Sequence, residues 1–125
     1  DAGCGVGDGL LALRQAYPCA CLEGVEWSWP LRLLCQLRCP WARVRRRDMW
    51  RADWSGYQLV YLFQRPESMA RAAAKAQAEL APGAWLVSLE FAVPGALPQA
   101  QLRLPGERVV WIYRMPMAGV APGQE

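Results

Sequence analysis

The chain has 125 residues, of which 54% are hydrophobic and 20% charged, so it suits one globular domain and not a disordered segment. A net charge of +3 permits an acidic partner without indicating one, and five cysteines, an odd number, favour a reducing compartment and hence a cytoplasmic protein. No apolar run approaches the length of a membrane span, and no signal peptide is visible.

The chain opens with an acid, Asp1, followed by glycine at every second position, Gly3, Gly5 and Gly7. Glycine lets backbone amides approach a ligand that a Cβ atom would push away. A helix predicted over residues 8–17, which Pro18 ends, places its positive end at the same spot, and this favours a bound anion. A doubly wound sheet needs a strand before this turn, so we expect upstream residues to complete a first strand that ends at Asp1.

A second strand is predicted over residues 19–26, and it closes on Glu26, nineteen residues after Gly7. A carboxylate at this strand tip can accept hydrogen bonds from ribose hydroxyls. The alternative is an ordinary strand, turn and helix in which Glu26 is merely solvated.

Ser28 and Pro30 begin a second predicted helix that runs to about residue 38, before a third strand over residues 42–48. Arginines occupy four positions of this strand, either as a nucleic-acid patch or as charges that discourage pairing at a sheet edge. The edge interpretation is favoured.

The rest of the chain alternates strands with one helix. We predict a fourth strand at 57–63, a helix at 66–80, a fifth strand at 84–91, a hairpin of strands 101–104 and 108–114, and a frayed tail at 118–125. Residues 49–56 and 92–100 lack a helical pattern, which indicates a minimal version of the fold.

The pattern Asp1-x-Gly3-x-Gly5-x-Gly7, followed by Gly24-Val25-Glu26, resembles class I S-adenosylmethionine-dependent methyltransferases. It differs from the G-x-G-x-x-G spacing of dinucleotide-binding enzymes. The resemblance covers nearly the whole chain and implies a single α/β domain over residues 1–125. This domain would have a Rossmann-like, doubly wound, mostly parallel sheet of strand order 3-2-1-4-5-7-6 with strand 7 antiparallel.

The same resemblance implies where S-adenosylmethionine binds. Its methionine end would lie against Asp1, Gly3, Cys4, Gly5 and Gly7; its ribose against Glu26; and its adenine against Trp27, Asp48 and Met49.

The acceptor is expected at the end of the fourth strand, where Gln64 and Arg65 would face it. This segment is neither the Asn/Asp-Pro-Pro-aromatic motif of adenine and glutamine methyltransferases nor a Pro-Cys pair. Residues 48–53, 57–62 and 79–88 are instead similar to protein-lysine methyltransferases of archaeal and mitochondrial type, which implies a protein acceptor such as lysine. A cofactor-binding module without turnover and a nucleic-acid methyltransferase remain as alternatives, and a homodimer is compatible with the sequence.

Methyl transfer from a sulfonium is an in-line displacement with a good leaving group, so the protein mainly positions and desolvates the nucleophile. A general base is optional, and the absence of histidine therefore excludes triad hydrolysis but not this reaction. The cysteine spacings depart from those of structural zinc sites, so no metal is expected.

Overall fold

A computed structural model describes residues 1–119 of the chain, so most of the predicted frayed tail lies outside the described residues. The chain divides into two compact units, residues 1–52 and 53–125, each with its own helices and strands. A single domain over the whole chain stays a prediction.

The first unit contains two helices that alternate with two short parallel strands. These are α1 (Asp8–Ala16), β1 (Glu23–Val25), α2 (Trp29–Arg38) and β2 (Arg43–Arg45). Ala2 forms a parallel bridge with Val25, and the Cys4 N–H donates to the Val25 carbonyl at 2.9 Å. The residues before the glycine turn therefore run parallel to β1, as a preceding strand would.

The two helices begin and end close to where the sequence places them. Gly7 is the N-cap of α1, and the Tyr17 N–H donates to the Leu13 carbonyl just before Pro18 stops the chain from continuing as a helix. Ser28 is the N-cap of α2, and Pro30 lies in its first turn, where its missing N–H costs nothing.

Sulfur and aliphatic side chains form the core of the first unit. It consists of Cys4, Leu10, Cys35, Cys39, Ala42 and Val44. Gly24 of β1 fits only because it has no side chain: a Cβ atom there would lie 2.8 Å from the Cys4 sulfur. On α2, Cys35 is buried in this core whereas Leu34 is exposed.

Strand β2 is an edge within the first unit, and α2 covers its free backbone groups. The Val44 N–H donates to Gln36 Oε1 at 3.1 Å, and the Val44 carbonyl accepts from Arg32 Nε at 3.0 Å. Gln36 Nε2 also donates to the Ala42 carbonyl at 2.8 Å. Side chains one helical turn apart thus satisfy groups that would otherwise invite another strand.

Residues 53–119 of the second unit form one α-helix, a short 3₁₀ turn at Pro66–Ser68 and four strands. These are β3 (Leu59–Leu62), α3 (Met69–Glu79), β4 (Trp85–Leu89), β5 (Ala100–Arg103) and β6 (Val109–Arg114). Its sheet has the order β3-β4-β6-β5, with β3 parallel to β4 and β6 antiparallel to both its neighbours. The predicted hairpin is therefore present, while the complete seven-strand order stays a prediction.

The core of the second unit forms between α3 and its sheet. Met69 and Ala73 of the helix are buried, and so are Leu86 and Tyr113 of the sheet. The Tyr113 hydroxyl accepts a 2.8 Å hydrogen bond from the Val93 N–H, and this satisfies it inside the core. Among residues 1–119, no helix is both long and apolar enough to cross a bilayer.

Candidate cofactor site

The glycine turn is a tight, internally bonded loop that leads into α1. The Gly7 N–H donates to the Cys4 carbonyl at 2.9 Å, and the Gly7 carbonyl accepts from Leu11 at 3.0 Å as the first turn of the helix. Gly3, Gly5 and Gly7 all have positive φ, at 70°, 54° and 99°. These three positions therefore favour glycine, which adopts the left-handed region without the strain that a Cβ atom would cause.

Gly5 and Gly7 have different surroundings. A Cβ atom on Gly7 would lie 2.9 Å from the Cys39 sulfur and 3.1 Å from the Cys35 sulfur, so Gly7 is fixed by packing. Apart from Gly5 and its two chain neighbours, no atom of residues 1–119 lies within 4 Å of the corresponding position at Gly5. Gly5 therefore lines open space, where a ligand can contact the backbone.

Glu26 points at this turn. Its Oε1 accepts a 2.9 Å hydrogen bond from the Gly5 N–H, and its Oε2 accepts another of 2.9 Å from the Ser28 N–H. The carboxylate thus joins the glycine turn to the start of α2. The Glu26 backbone is held as well, because its N–H donates to the Arg45 carbonyl and its carbonyl accepts from the Arg47 N–H.

The Glu26 carboxylate keeps capacity for further hydrogen bonds. Each carboxylate oxygen has two acceptor positions, and residues 1–119 use one on each. The side chain is only half-buried, so donors from a ligand can reach the remaining positions. Two neighbouring hydroxyl groups, as on a ribose, fit this pair of acceptors.

A cleft of about 520 Å³ lies beside the strand end that Glu26 closes. It is lined by Trp27, Arg46, Arg47, Asp48 and Arg51. The Arg46 guanidinium lies 4.6 Å above the Trp27 ring and also donates to the Trp27 carbonyl at 3.0 Å. An aromatic face and a carboxylate, the two groups predicted to contact adenine, therefore line one cleft.

Asp48 and Met49 differ in their exposure to this cleft. Asp48 begins a turn in which its Oδ1 accepts from the Trp50 N–H at 2.9 Å, and this leaves its other oxygen for a ligand amino group. Met49 is buried and does not line the cleft. Its contact with adenine stays a prediction.

Cys4 contributes to the floor of the turn and not to its open side. Its sulfur lies 3.6 Å from that of Cys35, and burial raises the pKa of the Cys4 thiol to about 12. Since its N–H and carbonyl are both used within the unit, Cys4 supports the loop conformation more than it offers groups to a ligand.

Gln64 and Arg65 lie in the second unit, directly after β3. Gln64 is half-buried, and Arg65 is exposed as the residue before the 3₁₀ turn. The glycine turn belongs to the first unit, whereas Gln64 and Arg65 belong to the second. Their role towards the acceptor stays a prediction.

Two contributors to the site were missed in the sequence. The Ser28 N–H holds the second oxygen of Glu26, and Arg46 covers the Trp27 ring. A signal for Ser28 existed, because a predicted N-cap two residues after Glu26 has a free backbone amide nearby. No comparable signal singled out Arg46 from its neighbouring arginines.

Among residues 1–119, no group of three His, Cys, Asp or Glu side chains is arranged to hold a metal ion.

Comparison with solved structures finds methyltransferases of the same fold. An RNA methyltransferase from Salinibacter ruber, in complex with S-adenosyl-L-homocysteine, matches at a TM-score of 0.84 with 22% identity, over 99% of this chain and 82% of the other. A protein from Pyrococcus horikoshii OT3 matches at 0.70 with 10% identity, over 91% and 79%. The StiE O-MT domain matches at 0.58 with 24% identity, over 71% of this chain but only 35% of its own.

A search of curated protein sequences finds no match. A family model, described as the ANTKMT methyltransferase domain, matches residues 1–100. The Rossmann-like α/β fold and the resemblance to class I S-adenosylmethionine-dependent methyltransferases are thereby confirmed, and the chain belongs to the ANTKMT methyltransferase domain family.

Proposed function

We propose that the chain transfers a methyl group from S-adenosylmethionine to a protein side chain such as lysine. The observation that carries the cofactor assignment is the Glu26 carboxylate, bonded to the Gly5 and Ser28 amides at the edge of open space. The similarity of residues 79–88 to protein-lysine methyltransferases supports the acceptor.

The residues of the first unit suit the parts of this cofactor. Open backbone at Gly5 and the N-terminus of α1 suit the carboxylate of its amino-acid end. The spare acceptor positions of Glu26 suit the two ribose hydroxyls, and the cleft between Trp27 and Asp48 suits adenine.

When bound, S-adenosylmethionine supplies a methyl group on a positively charged sulfur that is a good leaving group. The protein must then present a neutral amine, since a lysine ammonium has no lone pair with which to attack. The Arg65 guanidinium would lower the pKa of a nearby lysine by like-charge repulsion. The Gln64 carbonyl would accept a hydrogen bond from the amine and orient its lone pair.

Binding and transfer are tested separately. Labelled S-adenosylmethionine should be retained by the pure protein, and no retention at all would refute the cofactor assignment. When the protein and labelled S-adenosylmethionine are added to a lysate, the labelled methyl group should appear in material that protease digests. Retention without transfer would favour a cofactor-binding module without turnover.

Nucleic-acid methylation is a second candidate because three arginines, Arg46, Arg47 and Arg51, line the cleft. They could neutralise phosphates beside the cofactor. In that case the label would move to material that ribonuclease or deoxyribonuclease digests, and transfer would weaken steeply with salt.

A reducing compartment is proposed as the location of the protein. All five cysteines are free thiols in the structure, including the exposed Cys19 and Cys21. Free exposed thiols suit the cytoplasm better than an oxidising compartment.

A further inference from the structure

Helix α2 is apolar on the face that points away from the core. Trp29, Leu33 and Leu37 follow one another at intervals of four residues and form one stripe, while Cys35 faces the core. Trp29 is 63% exposed and Leu37 is 70% exposed. We call this stripe, together with the exposed Leu34, the α2 outer face.

Such a face is unusual for a helix on a protein surface. A helix that covers a core normally places polar residues on its outer side, and a helix that is apolar all round is normally buried. Single exposed leucines need no explanation, but one tryptophan and three leucines exposed on the same helix indicate a binding surface.

The surroundings of the face are positively charged. Residues 1–52 contain eight arginines and five acidic residues, whereas residues 53–125 contain six basic and six acidic residues. The whole net charge of +3 therefore belongs to the unit that carries α2. Arg46 stacks on Trp27 near one end of the helix, and Arg38, which is paired with Asp8 at 3.0 Å, lies at the other.

A second copy of the chain is a poor occupant for this face. In a two-fold symmetric contact the same patch meets itself, so arginines at both ends of α2 would face arginines in either helix direction. Like charges placed opposite one another oppose such a dimer. An anionic surface complements both the apolar stripe and the arginines beside it.

We propose that the α2 outer face binds peripherally to an anionic lipid bilayer. Trp29 would lie at the level of the headgroups, which tryptophan prefers, and the leucines would enter the boundary of the acyl chains. Nearby arginines would contact lipid phosphates. Binding of this kind is independent of the cofactor and of the acceptor.

Co-sedimentation with vesicles tests this inference. The full chain should bind vesicles of phosphatidylcholine and phosphatidylglycerol, and added salt or the omission of phosphatidylglycerol should weaken binding. The double substitution Leu33→Gln and Leu37→Gln should weaken it at least tenfold, because each leucine contributes about that factor when its side chain is buried. Glutamine keeps helix propensity and adds no charge.

Leu97→Gln is the matched control. Leu97 is 71% exposed but belongs to the second unit, so its substitution should leave vesicle binding unchanged. Circular dichroism confirms that the variants remain folded.

The proposal is overturned if the full chain does not bind anionic vesicles, or if Leu97→Gln weakens binding as much as the double substitution of Leu33 and Leu37. It is also overturned if light scattering finds a dimer that the α2 substitutions dissociate, since a second copy would then cover the face.

Discussion

Alanine at Gly7 should mainly reduce the stability of the protein, whereas alanine at Gly5 should mainly reduce its affinity for the cofactor. Both glycines have positive φ, so alanine costs about 1–2 kcal/mol of conformational energy at each position. At Gly7 the new Cβ atom also meets Cys39 sulfur at 2.9 Å in a closed core, and overpacking adds about 1–3 kcal/mol. Gly7→Ala should therefore destabilise by about 2–5 kcal/mol in total, and Gly5→Ala by the smaller amount alone.

Ligand affinity, in contrast to stability, should be affected mainly by the substitution at Gly5. The Cβ atom of Gly5→Ala enters the open space at the turn, so affinity for S-adenosylhomocysteine should fall at least tenfold while the protein stays folded. Chemical denaturation measures the first effect, and titration calorimetry measures the second. Adding Cys39→Ala should make Gly7→Ala less damaging, because the sulfur that it meets is gone.

Two results would refute this reasoning. One is a Gly5→Ala variant that binds S-adenosylhomocysteine as tightly as the parent chain. The other is a Gly7→Ala variant no less stable than Gly5→Ala, which would mean that the sulfurs under the turn do not constrain it.

Three further predictions concern single side chains. Glu26→Gln should raise the dissociation constant for S-adenosylhomocysteine about 30-fold or more, because an amide cannot accept hydrogen bonds from both backbone amides and both ribose hydroxyls. Titration calorimetry measures this constant, and the control variant Glu23→Gln should show little change. Burial raises the pKa of Cys4 from about 9 to about 12, so the thiol loses its proton at lower pH in the unfolded state than in the folded state. The free energy of unfolding should therefore fall as pH rises through that window, and denaturation curves for Cys4→Ser should show a shallower fall. Arg65→Gln should move the rise of the methylation rate with a lysine acceptor to higher pH, and an unchanged pH profile would exclude the proposed effect of Arg65 on the acceptor amine.

Local signals in the sequence were sufficient for the ends of the helices and for the acid at the strand tip. Pro18 and Ser28 mark helix boundaries within one residue of the observed ones, because capping and proline effects act over a few neighbouring residues. Glu26 could be singled out because a strand, a turn and a helix of ordinary length separate it from Gly7. Its contact with the turn follows from that spacing.

The extent of the strands could not be read from composition. Residues 19–26 were predicted as one strand, yet the observed strand is only Glu23–Val25. Strand length depends on how much of the partner strand is available, and β2 offers three residues. Cys19 and Cys21 look apolar in sequence but are exposed in the structure.

Which apolar residues of α2 are buried was equally hidden from the sequence. The α2 pattern allows several inward stripes, and only packing against Val44 and Leu10 selects the one centred on Cys35. Similarly, the arginines of residues 43–47 suggested protection of an edge by charge. The structure shows that Arg32 and Gln36, from a different element, also bond to the edge backbone, while the effect of the arginines on pairing stays a prediction.

A crystal structure of the chain with S-adenosylhomocysteine tests the central claim most directly. The claim predicts both ribose hydroxyls within hydrogen-bonding distance of the Glu26 carboxylate and the amino-acid end of the ligand beside Gly5. A ligand bound elsewhere, or one whose ribose makes no contact with Glu26, would contradict it.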